Sequence, residues 1–374
     1  MKIDKVEAIK VDVPLDKSFG GGTYNVDRRT AIITKIYTND GIISEVFAGD
    51  DRYKSDIIVK SINEILGPDI IGFDPNELET IWNFLFMKHV KNAATDNRPI
   101  LKNTLIRAIA CIDFAIWDII GKSKKKSVVD LLGKKKEKLK VSTIGGYYVD
   151  GKDENGIQDE MKMYEDLGFK ACKFKIGKLE PKEDFKRVLA AKKAVSSDFD
   201  LMVDVNCGYS VEEAFQFCEM AKDINVRWLE EPCHWWDDIY FMSELKKKTK
   251  IKIAAGQSEI NHYGIRRMVE KNSIDVCNLD SFHAGGITEW KRAAKICNEH
   301  DIEMAHHEEA SISRHLLGSE VKGTYVEIFA DPNRDPFHEK IWINKPKITD
   351  GYIDVPNEIG LGVKLDWDLV KKYS

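Results

Sequence analysis

The chain has 374 residues, a formal net charge of -5, and 43% hydrophobic and 32% charged residues, an ordinary composition for a soluble globular protein. That length allows two domains or one large barrel with an addition. The lysine clusters at 124–126 and 134–136 lack the interleaved aromatic residues of a nucleic-acid track. No apolar run approaches the length of a membrane span. We therefore expect neither a nucleic-acid nor a membrane partner.

The chain carries seven cysteines, an odd number, with no Cys-x-x-Cys pair. Reduced thiols in a cytoplasmic protein are the simplest explanation, and the N-terminus begins with a strand pattern instead of a signal peptide. Cys207, Cys233 and Cys277 lie near predicted strand ends. They could form a soft-metal site, although small packing residues are the simpler interpretation.

The N-terminal segment has strand patterns. Residues 3–13 alternate between apolar and polar side chains, and the runs 30–38 and 42–47 flank an Asn-Asp-Gly hairpin signal. A glycine-rich stretch at 18–24 is followed by a strand and not by a helix, which disfavours a phosphate-binding loop. We interpret it as a lid or specificity loop.

Helical periodicity follows at residues 55–66, 76–89 and 101–121, and Gly67-Pro68 is predicted to stop the first of these helices. The third is so apolar that it should be buried on several sides. Strands followed by helices predict a separate α+β domain over residues 1–130.

From residue 131 to 347 strands alternate with amphipathic helices. The predicted strands are 139–148, 171–176, 200–206, 226–231, 251–257, 274–280, 302–307 and 324–329. Eight such units predict a TIM-like (β/α) barrel with its active site at the carboxyl ends of the strands. An open doubly wound sheet is the alternative, but its glycine-rich dinucleotide motif is missing. The tail, 348–374, is expected to return to the N-terminal domain.

Three consecutive predicted strands end in oxygen-bearing side chains. Asp204, Glu230 and Gln257 follow one another at steps of 26 and 27 residues, which suits one strand and its return helix. Hard cations prefer oxygen ligands, so the pattern predicts a Mg²⁺ site, with Mn²⁺ as an alternative. Helix capping could explain one such residue; three in phase favour the metal site.

Other candidate catalytic residues lie at the ends of further strands. Lys173 and Lys175 share a strand face. Two neighbouring ammonium groups repel each other, so the pKa values of the lysines should fall and one lysine becomes a usable base. The alternative is an exposed Lys-x-Lys on the strand. Asp280 and His307 end neighbouring strands and can form a carboxylate–imidazole pair, or else a helix cap and a core histidine. Glu327 lies on the last strand.

This set of residues suits removal of a proton α to a carboxylate. Lys175 would take the proton and His307 would act on the other face of the substrate. The cation and Lys173 would stabilise the resulting enediolate.

The constellation closely resembles the enolase superfamily, and within it the mandelate racemase subgroup. The matching segments are 172–177 (Cys-Lys-Phe-Lys-Ile-Gly), 202–206 (Met-Val-Asp-Val-Asn), 228–232 (Trp-Leu-Glu-Glu-Pro), Asp280 with 285–288 (Gly-Gly-Ile-Thr), His307, Glu327, and the helix 110–122 with Leu-Leu-Gly at 131–133. The resemblance covers nearly the whole chain.

The resemblance implies an α/β fold, a modified (β/α)₇β barrel with an N-terminal α+β capping domain that also takes in the C-terminus. It implies that cap loops near 19–26 and 47–53 close the site, that Glu327 donates a hydrogen bond to the substrate carboxylate, and that Asn206 contacts substrate. It also implies a homo-oligomer, a dimer or an octamer.

Within the subgroup, the segments 231–236 (Glu-Pro-Cys-His-Trp-Trp) and 306–309 (His-His-Glu-Glu) resemble acid-sugar dehydratases. The expected reaction is loss of water from an aldonic or aldaric acid to give a 2-keto-3-deoxy acid. Racemisation, epimerisation or cycloisomerisation through the same intermediate is the alternative. A non-catalytic binding protein is disfavoured because the catalytic residues are present, and a zinc hydrolase because the first barrel strand lacks a His-x-His.

One position departs from the family's pattern. The third metal ligand of the subgroup is usually a Glu after a Gly, whereas here Gln257 follows Gly256. An amide oxygen can bind Mg²⁺ without adding charge. Glu259 is the competing ligand, since it lies two residues further on; we favour Gln257 because it keeps the family's position.

Overall fold

The computed structural model describes residues 1–91 and 102–374. Its N-terminal part is an antiparallel sheet of β1 (Ile3–Gly20), β2 (Asn25–Thr38) and β3 (Val46–Ala48), in that order. The predicted alternation places Val11 opposite Ala31 on a buried face. The glycine-rich stretch is the tip of the β1–β2 hairpin, so β1 runs further than the alternation predicted.

The helices of the cap follow β3. They are α1 (Ser55–Ser61), α2 (Gly67–Asp69), α3 (Leu78–Leu85), α4 (Lys102–Lys124) and α5 (Val128–Leu132), with π-helical turns at Ile62–Leu66 and Phe86–Val90. Helix α4 is buried along most of its length, as predicted; its predicted first residue, 101, lies outside the described residues.

The predicted stop at Gly67-Pro68 is wrong, because α1 continues through a π-helical turn into α2. Pro68 lies in the first turn of α2, where no backbone N–H is needed. Gly67 is required for packing: a Cβ there would come within 2.9 Å of the Cβ of Val6 on β1.

The barrel is confirmed. Within the described residues, its eight strands are β4 (Lys138–Gly145), β5 (Ala171–Lys175), β6 (Asp200–Asp204), β7 (Leu229–Glu230), β8 (Ile253–Ala255), β9 (Val276–Cys277), β10 (Glu303–Met304) and β11 (Tyr325–Glu327). The intervening helices are α6 (Glu154–Asp166), α7 (Pro181–Lys193), α8 (Val211–Ala221), α9 (Asp238–Lys246), α10 (His262–Glu270), α11 (Ser281–Ala284), α12 (Ile287–Glu299) and α13 (Ala310–Gly318).

The strands pair in parallel from β4 through β10, and β11 pairs with β4. A single bridge between Met304 and Gly323 closes the ring. Inside, a buried apolar layer fills the barrel below the strand ends. It consists of Ala171, Met202, Trp228, Ala254, Val276, Ala305 and Tyr325. Any cavity inside the barrel must therefore lie above the carboxyl ends of the strands.

The C-terminal segment contacts both parts of the molecule. Strand β12 (Tyr352–Asp354) pairs antiparallel with β4, whereas α14 (Trp367–Tyr373) packs against β1. The division into 1–130, 131–347 and 348–374 remains a proposal, since this tail is shared. No helix in the described ranges is long and apolar enough to cross a bilayer.

Candidate active site

Strand β5 presents two buried lysines at the mouth of the barrel. The Nζ of Lys173 lies 2.6 Å from Glu327 Oε1 and 3.2 Å from Glu230 Oε1. The Nζ of Lys175 lies 2.6 Å from Asp204 Oδ2. These contacts follow from parallel pairing, because the carboxyl ends of β5, β6, β7 and β11 meet at one rim.

The structure corrects the expectation for the lysine pKa values. Burial acts to lower the pKa of both lysines, but the carboxylates outweigh it. Glu230 and Glu327 raise the pKa of Lys173, and Asp204 raises that of Lys175 well above its usual range. Sequence reasoning counted the two ammonium groups and missed the compensating carboxylates.

The predicted metal ligands Asp204 and Glu230 are register neighbours on β6 and β7, and both are completely buried. Asp204 accepts hydrogen bonds from the backbone N and the Nδ2 of Asn206, at 2.8 and 3.2 Å. Glu230 accepts from Trp228 Nε1 at 3.0 Å and Asn278 Nδ2 at 2.8 Å. Both carboxylates are thus held in fixed orientations facing the rim.

The side chains of Gln257 and Glu259 lie in different environments. Gln257 lines the cavity above the strands, and its Oε1 is buried without a hydrogen-bond partner among the described residues. Glu259 instead lies against α10, with its Oε2 3.7 Å from Arg267 Nη2. A buried, unpartnered amide oxygen and two buried carboxylates, on or just after three consecutive barrel strands, are oxygen donors of the kind that a hard cation prefers. By the chemistry of their donor atoms, Asp204, Glu230 and Gln257 fit Mg²⁺.

A different group of ligand atoms, from Asp280, His306 and Glu309, lies close enough together to hold a metal ion. His306 is already engaged at both nitrogens: Nε2 lies 3.1 Å from the backbone N of Ser281, and Nδ1 lies 2.9 Å from the carbonyl oxygen of His307. We therefore regard this group as less suited to a cation.

Asp280 and His307 form the predicted pair. The Nδ1 of His307 lies 3.0 Å from Asp280 Oδ2, and Asp280 Oδ1 caps α11 by accepting from the backbone N of Phe282 at 2.8 Å. Burial alone would lower the pKa of His307, but the hydrogen bond to Asp280, followed by the charge of Glu308, raises it. Burial would raise the pKa of Asp280, but His283 and His307 lower it. The pair favours a protonated imidazole.

The cap closes a cavity of about 510 Å³ above these residues. Thr23, at the tip of the β1–β2 hairpin, donates from Oγ1 to the carbonyl oxygen of Asn206 at 3.2 Å. A Cβ on Gly22 would come within 3.0 Å of the backbone of Gly177, so the tip sits directly on the barrel rim. Asn206 has a positive φ of 49°, and its Oδ1 is buried without a partner among the described residues.

Sequence reasoning assigned no role to several residues that line this cavity. They are Arg29, Glu231, Glu308 and Glu309, whereas Asp50 lies in the predicted cap loop near 47–53. Glu231, Glu308 and Glu309 have positive φ values of 41–49°, rare for such residues and typical of strained functional loops. The consecutive carboxylates after His307 were the available signal; nothing local marks Arg29.

Comparisons with known proteins agree with this geometry. Residues 5–133 match the family model for the mandelate racemase / muconate lactonizing enzyme N-terminal domain, and residues 156–369 match the enolase C-terminal domain-like model. An arabinonate dehydratase from Saccharolobus solfataricus is 26% identical over 92% of this chain and 90% of that protein. A D-galactarolactone cycloisomerase from Agrobacterium fabrum is 25% identical over 100% of this chain and 99% of that protein.

Among solved structures, a mandelate racemase/muconate lactonizing enzyme from a marine actinobacterium, in complex with magnesium, superposes with a TM-score of 0.89. It is 35% identical and covers 99% of this chain and 98% of its own. The similarity thus includes the cap as well as the barrel.

Proposed function

The chain belongs to the mandelate racemase / muconate lactonizing enzyme family of the enolase superfamily, which indicates an enzyme, and on that premise we propose that it is an acid-sugar dehydratase. The proposed substrate is an aldonic or aldaric acid, and the product is a 2-keto-3-deoxy acid. The observation that supports this most is the placement of Lys175 and the Asp280–His307 pair across the barrel mouth. Asp280 follows β9, which lies four strands from β5 in either direction around the ring.

Lys175 is proposed as the base. Its Nζ borders the cavity at the end of β5, where it can reach a proton on the carbon next to the substrate carboxylate. The C–H electrons move into the carboxylate, whose oxygens gain negative charge as an enediolate. The buried ammonium of Lys173 is held near these oxygens by Glu230 and Glu327 and stabilises that charge.

His307 is proposed as the acid. When the enediolate collapses, the bond between the next carbon and its hydroxyl oxygen breaks, and His307 gives its proton to the departing hydroxide to form water. The enol left behind tautomerises to the 2-keto-3-deoxy acid. Asp280 keeps the imidazole oriented through its Nδ1 contact and favours the charged form before the proton is donated.

Asp204, Glu230 and Gln257 are proposed to hold Mg²⁺, or alternatively Mn²⁺. Such a cation supplies positive charge that stabilises the carboxylate oxygens of the substrate and neutralises the carboxylates that otherwise raise the lysine pKa values. A solved structure of 35% identity that is in complex with magnesium supports magnesium as the ion.

The test is a library of aldonic and aldaric acids with Mg²⁺, read by a colour assay for 2-keto acids and by deuterium incorporation at the α-carbon in D₂O. Lys175→Ala should abolish both signals. His307→Asn should lose the 2-keto acid and retain exchange. Lys186→Ala, an exposed lysine on α7 paired with Glu183, is the matched control and should behave as the parent. The absence of product and exchange with every acid would refute the proposal.

Cycloisomerisation or epimerisation is the second candidate, favoured by the similarity to a cycloisomerase and by the same opposed placement of Lys175 and His307. In that case His307 would return a proton to carbon. Products that are isomers of the acid, with no 2-keto acid, would identify this reaction.

A further inference from the structure

We propose that the cap side of the cavity selects acids with one carboxylate and a neutral polyhydroxylated chain, that is, aldonic over aldaric acids. This inference rests on the proposed function and deepens it. It depends on a set of charged residues that we call the cap-side cluster: Arg29, Asp50, Arg52, Glu308 and Asp335.

The substrate can enter the cap-side cluster only with its far end. Its reacting carboxylate must lie beside Lys173 and Lys175, and the barrel below them is filled by the apolar layer. The rest of the substrate must therefore extend upward, toward residues of β2, the segment after β3 and the segment after β10. The charge of the cap-side cluster then decides which terminal group is accepted.

Arg29 is the central cation of the cap-side cluster, and its charge is already matched. Its side chain is 6% exposed; Nη1 lies 2.6 Å from Asp50 Oδ2, and Nη2 lies 2.6 Å from Glu308 Oε2. Asp335 Oδ2 lies 3.7 Å from the same Nη2. The guanidinium also lies 5.0 Å from the ring centroid of Phe329. A substrate carboxylate that approached Arg29 would have to displace one of these partners.

Arg52 does not restore a positive balance. Its Nη1 lies 2.9 Å from Asp50 Oδ2, so Arg29 and Arg52 share one carboxylate. Two arginines and three carboxylates leave the cap-side cluster with a formal charge of -1; Glu309 is not counted, because burial raises the pKa of its carboxyl well above the usual range. A second substrate carboxylate would add like charge in a partly buried site, which is unfavourable.

A hydroxylated chain suits the same surface. Hydroxyl groups donate hydrogen bonds to carboxylate oxygens and need no countercharge. Glu309 Oε2 is buried without a partner among the described residues, and Arg52 Nε is a buried donor in the same condition. A neutral terminal hydroxyl can accept from Arg52 Nε and also donate to a carboxylate, whereas a substrate carboxylate can accept from Arg52 Nε but has no proton to donate to Glu308 or Asp50.

The test compares matched pairs of acids that differ only at the terminal carbon, such as galactonate with galactarate and gluconate with glucarate, across the stereoisomers. The readout is the ratio of kcat/KM for the aldonate to that for the aldarate. We expect the ratio to be at least tenfold for the pair that is turned over best. Equal or better turnover of the aldarates would overturn this inference and leave the dehydratase proposal standing. The absence of α-proton exchange with every acid would remove the proposed function, and this inference with it.

Glu308→Gln supplies the second arm, because it removes the negative charge nearest to Nη2 of Arg29. It should lower the ratio at least fivefold, chiefly by lowering KM for the diacid. Asp12→Asn, which removes a carboxylate paired with Arg28 outside the cavity, is the matched control and should leave the ratio unchanged.

If thermal unfolding shows that Glu308→Gln is unfolded, Asp335→Asn makes the same charge change at a more exposed position and carries the same expectation. A folded variant with an unchanged ratio would overturn the role of the cap-side cluster.

Discussion

Replacing Asp280 by Asn isolates the charge of the carboxylate that faces His307. Asn keeps the shape of the side chain and can still cap α11 by accepting from the backbone N of Phe282. What is lost is the negative charge at 3.0 Å from Nδ1 of His307. At an effective dielectric of about 20 the direct attraction is about 5.5 kcal/mol, and the net value of a charge-assisted hydrogen bond is about 1.5–3 kcal/mol.

The expected result follows from that net value. Since one pKa unit corresponds to about 1.4 kcal/mol, the pKa of His307 should fall by about one to two units. Its present pKa is raised, so a smaller fraction of the imidazole is protonated in the variant near neutral pH. Dehydration should therefore slow by up to about a hundredfold, while α-proton exchange by Lys175 should change little.

The assay is an NMR titration of the His307 ring proton in the parent and in Asp280→Asn, with His307→Asn used to assign the signal. Rates of 2-keto acid formation and of deuterium exchange are measured on the same samples. An unchanged pKa of His307 would refute the reasoning. So would a loss of exchange equal to the loss of dehydration, since it would show that Asp280 acts on the whole site and not through the imidazole.

Two further predictions concern the metal site and the core. Gln257→Glu should bind Mg²⁺ at least as tightly as the parent by calorimetric titration, and Glu259→Gln should change the affinity little; a collapse in Glu259→Gln alone would move the ligand to Glu259. Burial raises the pKa of Asp113, which accepts from Thr288, to about 7. The contribution of Asp113 to the free energy of unfolding is therefore complete below about pH 4 and is lost as the pH rises to about 7. In urea unfolding, the free energy of unfolding should fall less between pH 5 and pH 7.5 in Asp113→Asn than in the parent, by on the order of 2–3 kcal/mol. An equal fall in the two proteins would contradict the buried protonated form.

The barrel could be predicted because its signals are local and repeated. Each strand is a short apolar run, and the parallel return places consecutive strand ends such as Asp204 and Glu230 side by side. The same logic led to the Asp280–His307 contact. Periodicity could not reveal the ionic state of Lys175, because that depends on a carboxylate from the neighbouring strand at 2.6 Å.

The cap-side cluster lay beyond sequence reasoning for a different physical reason. Its contacts join residues far apart in the chain, such as Arg29 and Glu308 at 279 positions, and no repeat links the segments that carry them. Backbone conformation was equally hidden: the positive φ of Glu308 and Glu309 is imposed by tertiary contacts against the preference of glutamate. These contacts and conformations become apparent only in the folded structure, where the cap packs on the barrel.

The packing of the C-terminal segment has a consequence for the synthesis of the protein. The apolar face of the N-terminal sheet that carries Val11 and Ile33 is covered by Leu365 and Val370. At about 5–20 residues per second, the covering residues are made on the order of 20–60 seconds after the sheet has emerged from the ribosome. During that time the face is open to chaperones and to neighbouring nascent chains. The barrel strands are all translated within this interval, whereas the cap can be completed only after Leu365 and Val370 have been made.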